Sequence, residues 1–208
     1  MVRFVAGVLV ALSLSGCAAE RVWAPDEAVK AARYVHQGPP ELMLVTSIND
    51  RSGEGAHTGL LINASERVLF DPAGNWDDPR APERHDLRYG MTPQMQANYF
   101  AFQSAGPFHA VIQRVQVSPE VAERAYQLAR DNGPVPSAFC TSATSKLLSQ
   151  LPGFEGVQST MFPKSLMESF ATLPGVKTQI VYGSPDQNEP DRVPLVSPVI
   201  AKAIQGGN

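Results

Sequence analysis

The chain is poor in cysteine, with only Cys17 and Cys140 among its 208 residues. That excludes a disulfide framework and a Cys-rich zinc site, both of which need several cysteines at paired spacings. It has no excess of basic charge: 17 Lys and Arg stand against 20 Asp and Glu, a net charge of -3. With no basic stripe, the electrostatic footprint of a nucleic-acid partner is missing. No apolar run reaches the length of a mature transmembrane helix; the longest, residues 4–14, is too short. The chain has no His-Glu-x-x-His pair, no Gly-x-Ser-x-Gly elbow, no Ser-x-x-Lys and no glycine-rich phosphate loop. These absences argue against zincin, serine-hydrolase and nucleotide chemistry, and no metal or cofactor is called for. Apolar residues at 43% and charged residues at 18% are ordinary for one globular domain. Proline is plentiful at 18 residues, so the loops are long and stiff.

The first 16 residues read as a signal peptide. Arg3 follows Met1 and Val2, then comes the apolar run, then "LSGC" at 14–17. That quartet resembles a bacterial lipobox. The resemblance implies cleavage before Cys17, acylation of its sulfur and usually of the new amine, and stable anchoring by two or three chains. Ala18 is not the Asp that often signals inner-membrane retention. The expected location is therefore the outer membrane, on its periplasmic side. If Cys17 carries lipid, Cys140 has no disulfide partner in its own chain. An unpaired thiol in an oxidising compartment is either buried and inert or kept for chemistry.

Periodicity and turn signals predict an α+β order. A helix is expected over 24–36, strands over 41–48, 56–63 and 67–72, with a hairpin turn at 64–66. A loop follows over 72–91, long enough to suggest a functional role. Thr92 and Pro93 open a helix over 92–105, and 107–117 is a strand. Ser118, Pro119 and Glu120 open a further helix that Gly133 stops. In "VPSAFCTSATSKLL", residues 135–148, Ser137 is the expected N-cap and Cys140 falls in the first helical turn. Phe139, Ala143, Leu147 and Leu151 form one expected face, and Cys140, Thr144 and Leu148 its neighbour. A short helix at 163–173 and a strand at 176–183 complete the domain. The Pro-rich tail, 184–208, is expected to be irregular.

A thiol in a first turn sees the positive end of the helix dipole, which favours thiolate. The free N–H groups there can also hold an oxyanion. A nucleophilic Cys further needs a base. The candidates are His36, His57, His85 and His109. On the strand "AHTGLLI", His57 shares a face with Gly59 and Leu61, and Gly59 leaves room for a helix to approach. Leu69 and Asp71 share a face of the next strand, so a short hairpin can set Asp71 beside His57 and fix its tautomer. Asp71 also precedes "PAG", which suits a turn-forming Asp equally. His109 is the rival base, although Phe108 and Ala110 beside it suit sheet packing. His85 either gates substrate or is solvated. Trp76 either lines a groove or anchors its loop.

"AHTGLLINASERVLFDPAG" resembles the His-x-Gly strand and following strand of NlpC-type cysteine peptidases, and "FCTSATSKLL" resembles their nucleophile helix. Because His57 precedes Cys140, the order is similar to the circularly permuted branch, lecithin retinol acyltransferase-like and YiiX-like proteins. The resemblance covers about residues 40–150. It implies a papain-like antiparallel sheet packed on a nucleophile helix, with Cys140 as nucleophile, His57 as base and Asp71 as orienting residue. Two features depart from the pattern: "GPPELMLV" stands where a Gly-Asp pair often precedes the first core strand, and the third residue is often His, Asn or Gln. The implied organisation is a signal peptide (1–16), a lipidated tether (17–23), a catalytic domain (24–183) and the tail. The implied activity is a thiol hydrolase or acyltransferase on peptidoglycan peptides or lipid-like acyl groups. The alternative is an inactive envelope scaffold or binding module on the same fold.

Overall fold

A computed structural model describes residues 19, 21–183 and 195–206. The signal segment 1–16 and Cys17 lie outside the described residues, as do 184–194. Among the described residues the protein is α+β, with six helices and a seven-stranded sheet. The elements run α1 (Asp26–Ala32), β1 (Glu41–Asn49), β2 (Gly55–Asn63), β3 (Arg67–Phe70), β4 (Glu83–Arg84), β5 (Leu87–Arg88), α2 (Pro93–Gln103), β6 (Phe108–Gln116), α3 (Pro119–Asp131), α4 (Cys140–Leu148), α5 (Pro163–Phe170), β7 (Lys177–Tyr182) and α6 (Pro198–Gln205). The sheet order is β4-β5-β3-β2-β1-β6-β7, and every ladder is antiparallel.

β1 is central, and its "LMLVTSI" core is buried on both sides, so it reads as a continuous apolar run rather than an alternation. Even-numbered residues of β1 and β2 face one layer. There Leu42, Leu44 and Leu60 pack with Leu147, Leu148, Leu166 and Phe170 from α4 and α5. Odd-numbered residues face the other layer, where Met43, Val45 and Leu61 meet Met95 and Tyr99 of α2 and Trp76 of the loop after β3. Strand alternation thus delivers each residue of β2 to one of two helical layers.

Several boundaries differ from expectation. α1 is shorter than 24–36, because Tyr34 gives its carbonyl to the Arg67 N–H at 2.8 Å and the chain must run extended there. The 72–91 segment is not structureless: β4 and β5 form a tight hairpin whose two turn residues, His85 and Asp86, take φ of 46° and 64°. Such a turn needs two left-handed residues and has no helical or alternating signature. The tail is not wholly irregular. Pro198 opens α6, and Ile200 is fully buried against Ile48, Val111 and Met167. The end of the expected tether, Val22 and Trp23, and the following Ala24 lie along the β4 hairpin, with bonds from Ala24 N–H to Glu83 and from His85 N–H to Val22.

The cap of α2 follows expectation: Pro93 is at the first position and the Thr92 hydroxyl accepts from the Met95 N–H at 3.2 Å. Thr92→Ala is expected to cost about 1 kcal/mol, read as a fall of about 2–4 °C in Tm for a chain this size.

Candidate active site

The site forms where two neighbouring strands differ in length. β3 ends at Phe70, paired with Leu60, so the first half of β2 has no strand on that side. The N-terminus of α4 fills the notch. A β-bulge precedes it: Ser47 of β1 faces His57 and Ile48 faces Gly55, which leaves Ala56 unpaired. Bulges of this kind re-aim side chains beside active sites. His57 projects to the α2 side of the sheet, as Gly59 and Leu61 do.

Asp71 follows β3 directly and lies 3% exposed on that same side. Its Oδ1 accepts from His57 Nε2 at 2.7 Å and from the Tyr99 hydroxyl at 2.6 Å. With Nε2 on the carboxylate, Nδ1 is the imidazole nitrogen available to the thiol. His57 and Cys140 lie close enough for each to shift the other's proton. The structure therefore brings Cys140, His57 and Asp71 together in that order. Asp71 also forms the turn that its "PAG" context suggests, accepting the Gly74 N–H on its main-chain carbonyl.

The protonation states follow from these contacts. Burial drives the Cys140 thiol up, but the hydrogen bond and charge of His57, the Thr141 hydroxyl and the Thr58 main-chain N–H together bring it below its ordinary value. The Thr58 N–H is available because β3 has already ended. Burial lowers the His57 imidazole, yet Asp71 and the thiol outweigh it and hold it up to about 10. Both directions describe a thiolate–imidazolium pair.

Cys140 lies in the first turn of α4, as expected, but it is the first helical residue and the cap differs. Phe139 occupies the N-cap with φ -104° and ψ 13°, and no side chain caps the helix. Ser137 is exposed and outside the helix, because Ala138 takes φ 70° and turns the chain between them. The first-turn N–H groups are thus left without a side-chain cap. Phe139 is correspondingly not on the core face: it is 45% exposed, whereas Leu147 and Leu151 are buried. Cys140 itself is buried, at 7% exposed.

Glycines supply the clearance. A Cβ on Gly59 would overlap the Tyr99 hydroxyl, and a Cβ on Gly74 would overlap the Asp71 carboxylate. The space at Gly59 was expected to let a helix approach the imidazole. It does admit a helix, α2, but the residue that uses it is Tyr99 and the group it meets is Asp71. Asp86 ties the two halves of the site together, accepting from Ala73 N–H at 3.0 Å and Val135 N–H at 2.7 Å.

The other candidates lie elsewhere. His109 is 1% exposed on the opposite face of the sheet, with its Nδ1 2.6 Å from Asp50 Oδ1. It braces the loop after β1 through Asp50. His85 sits at the hairpin tip with its ring against Trp23, 5.0 Å between centroids. His36 meets the Tyr34 hydroxyl. Trp76 is a loop anchor: it is buried, hydrogen-bonded to Asn98, and edge-on to Tyr99 at 5.4 Å. Among the described residues no cluster of three or more His, Cys, Asp or Glu could hold a metal ion, and no helix is long and apolar enough to cross a membrane.

Sequence reasoning missed Tyr99, Thr58, Gly74 and Asp86. Tyr99 had one signal, since a tyrosine on a buried helix face must find a partner for its hydroxyl. Nothing in the sequence named that partner. A cavity of about 710 Å³ adjoins the site, lined by Gly74, Asp77, Glu83, Asp86, Arg88 and Ser137 among others. No protein-family model matches the chain, and comparison with curated proteins and with solved structures finds no match either.

Proposed function

We propose that this protein is a periplasm-facing lipoprotein with a papain-like, circularly permuted NlpC-type domain, acting as a thiol hydrolase or acyltransferase on an amide or ester. The observation that carries the reading is the Cys140–His57–Asp71 line, with the thiol lowered and the imidazole held at about 10. The lipobox at 14–17 supports anchoring through Cys17 at the outer membrane. Val22, bonded to His85, lies five residues beyond Cys17. At about 3.3–3.6 Å per residue the anchor then reaches no more than about 18 Å from that point. The site works close to the bilayer.

In this reading the Cys140 thiolate attacks the carbonyl carbon and forms the S–C bond. The carbonyl oxygen gains the negative charge and is held by first-turn N–H groups of α4. As the oxyanion collapses, the bond to nitrogen or oxygen breaks, and the His57 imidazolium gives its Nδ1 proton to the leaving group. His57, now neutral, takes a proton from water or an acceptor alcohol or amine. That nucleophile attacks the thioester, the S–C bond breaks, and the thiolate–imidazolium pair is restored. Peptidoglycan stem peptides and lipid-like acyl groups are the two substrate classes that the location suggests.

The test is mass spectrometry of envelope peptidoglycan and lipids incubated with the mature protein and with Cys140→Ala. A mass change made by the wild type and absent with the variant is expected, and its identity names the substrate class. Identical spectra, together with a biological phenotype that survives Cys140→Ser, would instead leave an inactive scaffold.

A further inference from the structure

Behind the catalytic line stands a fourth side chain. Tyr99 is fully buried on α2, and its hydroxyl donates to Asp71 Oδ1 at 2.6 Å. His57 Nε2 reaches the same oxygen at 2.7 Å. The other carboxylate oxygen, Oδ2, is buried without a hydrogen-bond partner. The carboxylate thus has one oxygen engaged twice and one not at all, an arrangement that needs something to hold it. Free to turn, it would present Oδ2 to the imidazole or tilt out of its plane.

The surroundings hold the Tyr99 ring in place. Trp76 packs edge-on against the Tyr99 ring, 5.4 Å between centroids and 74° apart, and is itself fixed by Asn98. Gly59, on the strand that carries His57, is the only residue type that leaves room for the hydroxyl to reach the carboxylate. Burial, and then the Asp71 charge, keep the Tyr99 hydroxyl protonated and a donor. The other titratable groups acting on the pair are His57 from β2, Cys140 from α4 and Asp86 from the β4–β5 turn.

We infer that Tyr99 is a positioning residue: through Gly59 it locks the Asp71 carboxylate so that Oδ1 faces His57, and thereby sustains the thiolate of Cys140. The inference rests on the proposed Cys140–His57 chemistry and adds a residue to it. Tyr99 touches neither the thiol nor the bond to be cleaved, so its effect must be read through Cys140.

The experiment is the pH dependence of iodoacetamide alkylation of Cys140 in the mature protein and in Tyr99→Phe, with melting curves for both. A loosened carboxylate supports the imidazolium less well, so less thiol is ionised at low pH. The acidic limb is expected to move up by about one pH unit, an about tenfold slower rate on the limb. A limb that stays in place while only Tm falls shows a merely structural tyrosine and overturns the inference. So does a limb that moves down, which would mean the hydroxyl had been weakening the carboxylate rather than orienting it. A wild type with no thiolate below the ordinary thiol range would instead sink the Cys140–His57 reading itself, so the two failures are distinguishable.

Gly59→Ala supplies the second arm. Its methyl group collides with the Tyr99 hydroxyl, so it too should raise the limb and lower Tm. In Gly59→Ala/Tyr99→Phe that oxygen is gone, and the double variant should melt above Gly59→Ala alone. Strictly additive losses in Tm would show that the two residues do not meet, and would also overturn the inference.

Discussion

His57→Gln will slow alkylation of Cys140 by roughly two orders of magnitude at pH 6, and by progressively less as the pH rises. A thiol with no helper has a pKa near 8.5 and is only about 0.3% thiolate at pH 6. In the native protein, burial pushes the Cys140 thiol up, but His57 first, then Thr141 and the Thr58 N–H, bring it below its ordinary value. His57 can do this because its own proton stays on up to about 10, held by Asp71 and the thiol against the opposing effect of burial. The sign is fixed by these directions. A lowered thiol is ionised below the pH at which a free one ionises, so the advantage is greatest at low pH. It vanishes as a free thiol ionises unaided. Glutamine keeps a hydrogen-bonding side chain at residue 57 but cannot carry the positive charge. Superimposable rate–pH curves for wild type and His57→Gln would show that the two side chains are not an ion pair.

Phe170→Ala will lower stability by about 3–5 kcal/mol without moving that rate–pH curve. Phe170 closes α5, is fully buried, and packs on Phe154 at 6.0 Å between centroids within the larger core. Removing the ring costs its transfer free energy and leaves a cavity that the sheet and α4 collapse into only in part. Against a total stability of about 5–15 kcal/mol that is a large fraction, and it corresponds to about 6–20 °C in Tm. The ring lies in the core layer of Leu42, Leu44 and Leu60, on the face of the sheet opposite His57. Measured well below its Tm, the variant should therefore alkylate with the wild-type pH profile. A shifted profile would mean that the core beneath α4 sets the thiol's position more than the strand notch does.

Much of the site was legible because it obeys short-range rules. His57 and Gly59 share a face because strand residues alternate, and Leu69 and Asp71 do so for the same reason. A hairpin three residues long then leaves little choice about where Asp71 lies relative to His57. Cys140 in a first turn followed from the four-residue spacing of Phe139, Ala143, Leu147 and Leu151. What went astray was also local. Ser137 is a good capping residue, but the left-handed Ala138 between it and the helix removes it from the cap. The β4–β5 hairpin has two residues per strand, too few to show an alternation, and α6 is anchored chiefly by one buried residue, Ile200.

The sequence by itself determined the two cysteines and their unequal contexts, the α+β order of elements, and the faces on which His57 and Asp71 stand, since all of these depend on residues near one another in the chain. Only the tertiary structure decided that β3 stops short and opens β2 to α4, that the Thr141 hydroxyl beside the thiol meets the Thr58 hydroxyl, that His109 goes to Asp50, and that Tyr99 comes through the gap at Gly59 to reach Asp71. Those contacts join elements dozens of residues apart, and they are set by strand length, layer packing and the absence of a single methyl group, none of which leaves a periodic trace in the chain.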